Sequence, residues 1–150
     1  MRVYLVIMDE TPEAEKALRF ASRRAMKTGG SVHILAIVPR ENFNAFGGVQ
    51  ATIEQEAIDR AEVIANSAAG SIFAESGKMP TILVRSGDPQ KVIRKYLEEH
   101  PEVAALVLGT AAEGGPGPLV SYFSGHAGAL PCPVYLVPGI FTEEDIDRLA

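Results

Sequence analysis

Val3-Tyr4-Leu5-Val6-Ile7-Met8-Asp9-Glu10-Thr11-Pro12 carries a strand, a turn and a helix start in ten consecutive residues. Six apolar side chains run without a polar interruption, as expected of a strand buried on both faces rather than one with a wet side. The run stops at Asp9. Thr11 can then cap the free amides of a helix, and Pro12 fits the first helical position, where no amide hydrogen bond is lost. Four further runs have the same character: Val32 to Val38, Thr81 to Arg85, Ala104 to Leu108 and Val134 to Val137. They alternate with helical patterns, which implies right-handed crossovers and an α/β fold: a doubly wound, five-stranded parallel sheet with helices on both faces.

The intervening segments support that alternation. After Thr11, residues Ala14, Ala17, Leu18, Ala21 and Ala25 form an apolar stripe, and Gly29-Gly30 provides a left-handed stop. Lys16, Arg19, Arg23, Arg24 and Lys27 read as the solvated side of this helix, with Glu13 and Glu15 in the same stretch. Residues from Pro39 to about Val49 read as a loop, whose Phe43 and Phe46 either form a lid or contact surface or tuck back onto the core. A long helix follows, with a stripe of Ile53, Ala57, Ala61, Ile64 and Ala68. Asp88-Pro89 starts a third helix that buries Val92, Ile93, Tyr96 and Leu97 and ends before Pro101. A shorter helical pattern runs through Leu119, Val120, Phe123 and Leu130. Thr142, with Asp145 three residues on, starts a last helix with Ile146 and Leu149 as its apolar contacts.

The 150 residues, 47% of them hydrophobic, are the size of one domain spanning 1–150 that needs no covalent staple. Cys132 is the only cysteine, which fits a reducing, cytoplasmic setting and a packed thiol rather than a reactive one. The apolar run at the N-terminus is too short for a signal peptide or a membrane span, so no membrane partner is expected. A net charge of −5 repels nucleic acid, and no basic stripe interleaved with aromatics offsets it. His33, His100 and His126 share no ligand spacing with one another or with Cys132, so no metal site is expected. No Gly-x-Ser-x-Gly elbow accompanies Ser121, Ser124 and His126, so these do not read as a hydrolase fragment.

In an open parallel sheet the ligand crevice lies at the carboxyl ends of the strands, where the winding reverses. The first and fourth strands would flank it, placing Asp9 beside a stretch from Gly109 to Gly117 with four glycines among nine residues. Asp9 either hydrogen-bonds a base or sugar while the loop's amides cradle phosphate oxygens, or it only turns the chain into the first helix.

Leu5-Val6-Ile7-Met8-Asp9-Glu10-Thr11 resembles the opening strand and turn of the universal stress protein family. Ile82-Leu83-Val84-Arg85 with Ser86-Gly87-Asp88-Pro89, Ala105-Leu106-Val107-Leu108-Gly109-Thr110, and Pro131-Cys132-Pro133-Val134-Tyr135-Leu136-Val137 resemble its third, fourth and last strands. The resemblance implies a sheet in the order 3-2-1-4-5, usually dimeric, in which some members bind ATP and others do not. It also implies that Asp9 and the backbone of Ile37 contact base and ribose. The binding members share a loop of pattern G-x2-G-x9-G-[S/T], from which this chain departs. Gly109 matches the first glycine, but Ala112 stands at the second, and Gly125-His126 overshoots the closing pair. Counting back from Pro131-Cys132-Pro133 instead brings Val120-Ser121 to that pair, which keeps a hydroxyl and leaves His126 inside the helix. Pro116 and Pro118 each remove an amide from the loop.

The expected site is therefore Asp9, Ile37, Gly109, Thr110, Gly115, Gly117 and Ser121, holding ATP or AMP, with magnesium. No catalytic residue is identified, so the expectation is a stress-associated adenine nucleotide binding protein without efficient turnover. The alternative is a dimeric interaction module that has lost nucleotide binding and pairs through the free edge of the last strand.

Overall fold

The computed structural model describes residues 2–39 and 47–150. Five strands, β1 (Val3–Ile7), β2 (Ser31–Val38), β3 (Thr81–Ser86), β4 (Val103–Thr110) and β5 (Val134–Pro138), form one sheet in the order β3-β2-β1-β4-β5. Every pairing is parallel, with Val6 opposite both Ile34 and Val107. Between them run α1 (Pro12–Thr28), α2 (Gly47–Ser76), α3 (Pro89–Glu99) and α4 (Pro118–Gly125), followed by a 3-10 turn (Ala127–Ala129); α5 (Glu143–Leu149) comes last.

The period of two along each strand divides the core. Tyr4, Val6, Ile34, Ala36 and Val107 face one layer, with α1, α2 and the buried Ile146 of α5. Leu5, Ile7, Leu35, Leu106 and Leu108 face the other, against Ile93, Tyr96 and Leu97 of α3 and Phe123 of α4. β1 is buried along its whole length because it is central and covered on both sides.

The helix boundaries follow their caps. Thr11 Oγ1 accepts the amide of Ala14, Pro12 opens the first turn of α1, and Gly29 closes it at φ 67°. Asp88 accepts the amide of Lys91 at the start of α3, and Thr142 and Asp145 form a reciprocal capping box on α5.

Several expectations need correction. Gly47 to Val49 already belong to α2, and the rest of the expected loop after Pro39, with Phe43 and Phe46, lies outside the described residues. In α2 the expected Ala61, Ile64 and Ala68 do pack against the core, beside the more deeply buried Ala65, Ala69 and Ile72, whereas Ile53 is 40% exposed. The helix is 30 residues long, roughly 45 Å at 1.5 Å per residue. β3 beside it spans only about 20 Å, so α2 outruns the sheet and half of its stripe has nothing to cover. His126 caps the end of α4 instead of lying within it, its ring stacked on Tyr122. Leu149 is largely exposed. The basic side of α1 is not simply solvated: Arg19 and Arg23 both bond Asp147, and Lys27 bonds the carbonyl of Ala150, docking α5.

Candidate functional site

Asp9 follows β1 at the carboxyl edge of the sheet, on the strand at which the winding changes direction. Its Oδ1 accepts the amide of Thr11 at 2.8 Å and the Thr11 hydroxyl at 2.5 Å. The carboxylate thus turns the chain into α1. Oδ2 has no donor among the described residues, and the side chain is exposed. One oxygen is used for local structure and the other is available to a ligand.

Asp9 lines three hollows, one between α1 and α2 and two at the strand ends. Of the strand-end pair, one, of about 170 Å³, lies between the ends of β1 and β4 and is lined by Asp9, Glu13, Gly109, Pro116, Gly117 and Pro118 among others. The second, of about 180 Å³, lies between the ends of β1 and β2 under α2, with Asp9, Ile37, Arg60 and Ala61 in its wall. Asp9, Ile37, Gly109 and Gly117 are thereby gathered around one point, with Asp9 as the shared wall.

The other expected residues lie outside these walls. Thr110 Oγ1 donates to the carbonyl of Val137 and accepts the amide of Gly139, tying the loop to β5. Gly115, at φ 89°, and Ser121, on α4, are exposed and contribute to neither wall.

Gly109 has a structural reason to be glycine. A Cβ there would come within 2.6 Å of the carbonyl carbon of Glu13, so only a bare backbone lets the first turn of α1 sit against the end of β4. The same approach carries Glu13 into the first hollow, a residue that the linear sequence gave no reason to select. Arg60 was also missed, because only the docking of α2 brings it near Asp9. At the start of α4, Gly117 adopts φ 96° and its carbonyl accepts the amide of Ser121, so Leu119 and Val120 carry the first-turn amides left for an anion. Prolines take the flanking positions, and the lining of this hollow holds two carboxylates and no Lys or Arg.

A separate polar cluster joins β2 to α3. His33 Nδ1 bonds Tyr96 Oη at 2.7 Å, burial pushes its pKa down, and His100 stacks on the same tyrosine. Burial pushes the Cys132 thiol up. Among the described residues no group of His, Cys, Asp or Glu is arranged to hold a metal, and no helix is long and apolar enough to cross a membrane.

A family model described as the universal stress protein family matches residues 1–138. No curated protein matches the chain. Among solved structures, the chain is similar to universal stress protein UspA from Lactobacillus plantarum, with a TM-score of 0.78 at 22% identity over 91% of this chain and 97% of that one. A universal stress protein from Archaeoglobus fulgidus in complex with dAMP gives 0.62 at 22% identity, covering 91% and 97%. A universal stress protein family protein from Arabidopsis thaliana with AMP bound gives 0.60 at 14%, covering 92% of each chain. At these identities the likeness is one of fold.

Proposed function

The chain belongs to the universal stress protein family, and from that premise we propose that it binds an adenine mononucleotide at the carboxyl edge of its sheet, around Asp9, without turning it over. The observation that carries this is the position of Asp9, shared by the two strand-end hollows and with one carboxylate oxygen uncommitted. An acceptor of this kind suits a ribose hydroxyl or an exocyclic amine. The backbone of Ile37 on the far side of Asp9 suits the base, and Arg60 borders the same hollow. Relatives of the same fold in complex with dAMP and with AMP support the ligand class.

The phosphate end favours AMP over ATP. Asp9 and Glu13 repel added negative charge, and Pro116 and Pro118 offer no amides. Where ATP is bound, magnesium would have to be held mainly by the nucleotide, with Asp9 and Glu13 as nearby oxygen donors. The role in stress and a homodimer formed through β5 belong to the same proposal. Among the described residues β5 pairs only with β4, and Leu136 on it is 42% exposed.

Calorimetric titration with AMP tests the site. Saturable binding is expected, weakened about 10- to 100-fold by Asp9→Ala, the cost of losing a hydrogen bond to a charged group. Asp9→Asn keeps the Oδ1 acceptor for Thr11 and separates ligand contact from local structure. Flat heats from folded protein would instead support the interaction module, which the amide-poor loop favours.

A further inference from the structure

Where α2 begins to run past the sheet, it covers one of the two strand-end hollows. Ala57, Arg60, Ala61 and Ile64 line that hollow from the helix side. Their spacing puts them on one face of α2, so the stripe that packs on the core through Ala61 and Ile64 continues over the hollow. Opposite them stand the carboxyl ends of β1 and β2, with Met8, Ala36, Ile37 and Val38. A space of about 180 Å³ is left between helix and strands, with apolar side chains on both sides.

Arg60 is the one charged side chain that α2 contributes to this lining. It is exposed and makes no hydrogen bond or ion pair among the described residues, although Glu56 stands one turn before it and Asp9 and Glu10 line the same hollow. Asp59 beside it is engaged by Gln55 at 2.9 Å. Arg19 and Arg23 of α1 differ in this respect, since both are held by Asp147. No Lys or Arg lines the hollow between β1 and β4, so among the described residues Arg60 is the only such cation at either strand-end hollow.

We propose that, given nucleotide binding around Asp9, Arg60 lies against the face of the bound base and holds it in the hollow between β1 and β2. The lining selects the moiety. Asp9 and Glu10 repel a phosphate that enters beside them, and one exposed guanidinium stands against two carboxylates. An uncharged heteroaromatic ring meets no such repulsion. Its faces match Ile37 and Ala61, its π-electrons attract a guanidinium that is itself flat and weakly hydrated, and an exocyclic amine on its edge is a donor for Asp9. The ring also gives the overhanging stretch of α2 an apolar surface to cover.

Calorimetric titration of the parent, Arg60→Ala and Arg60→Tyr with adenosine and with AMP tests this. Because the contact is with the base, Arg60→Ala is expected to weaken both compounds by the same factor, about tenfold. Arg60→Tyr restores a flat face without the charge and is expected to bring both back to within about threefold of the parent. Arg60 is exposed, so both variants keep the parent's fold, which melting curves verify. Loss of AMP affinity with adenosine unchanged, or AMP binding by the parent without adenosine binding, would assign the energy to the phosphate and overturn the proposal. Unaltered affinities in Arg60→Ala, or no recovery in Arg60→Tyr, overturn it as well. Flat heats from the parent with both compounds would remove nucleotide binding itself, whereas saturable binding by the parent that Arg60→Ala leaves untouched removes only the base contact.

Discussion

A methyl group at position 109 would press on the carbonyl carbon of Glu13 at 2.6 Å, and nothing flexible stands there to give way. Gly109→Ala is therefore expected to lower stability by about 1–3 kcal/mol, the range for overpacking against fixed neighbours, as read from urea denaturation midpoints. The same change would displace Glu13 and with it the wall of the hollow. Lost nucleotide affinity in this variant would thus report a shifted helix rather than a missing phosphate contact. In the proposed site Asp9 would carry a similar double duty, since its Oδ1 already holds Thr11. Its place at the end of β1 and its turn-forming role were both legible from the sequence, because a carboxylate two residues before a Thr-Pro helix start has only a few local uses. Glu13 and Arg60 were not legible: each enters the site through the packing of a helix, and neither occupies a position that local chemistry singles out.

At the scale of elements, α5 is held to α1 by charge as much as by Ile146. Hydrogen bonds from Arg19 and then Arg23 hold the Asp147 carboxyl below its ordinary pKa. A group lowered in this way contributes stability that is present above its unfolded value, near 4, and is lost as pH falls through the folded value. Asp147→Asn should accordingly lower the melting temperature at neutral pH, with the gap from the parent closing below about pH 4. Thr142→Ala, which breaks the capping box, should cost about 1 kcal/mol across that range. The strands and the capped helix starts could be read from the sequence because each depends on neighbours in the chain: an unbroken apolar run, or a Thr-Pro or Asp-Pro pair. The buried side of α2 could be read only in part: Ala61, Ile64 and Ala68 pack on the core as expected, but where the covered stretch begins could not be read. Ile53 and Ala69 carry similar local patterns, and only the length of the sheet beneath decides which is covered.

For the molecule as a whole, the exposed edge is the open question of association. Leu136 on β5 and Ile140 just beyond it, 74% exposed, leave apolar surface beside unpaired strand backbone. A two-fold pairing would cover both at once. Sedimentation of the parent protein should show a dimer, and Leu136→Lys should shift it to monomer at micromolar concentration without changing the melting profile of the dilute protein; a monomeric parent would remove this edge from consideration. The alternating pattern carried the parallel, doubly wound sheet and the family resemblance alone its strand order, whereas the dimension along which α2 overhangs the sheet had no counterpart in either.

β1 occupies the middle of the sheet, yet one of its two partners arrives very late. Val3 pairs with Ser31 on one side and with Val103, a hundred positions away, on the other. Closing so large a loop must precede any reward from the contact, which places the chain among slow-folding topologies. During synthesis the half-sheet of β1, β2 and β3 therefore waits with a fully apolar seam uncovered, and a chaperone that shields that seam would act on the interval before β4 emerges.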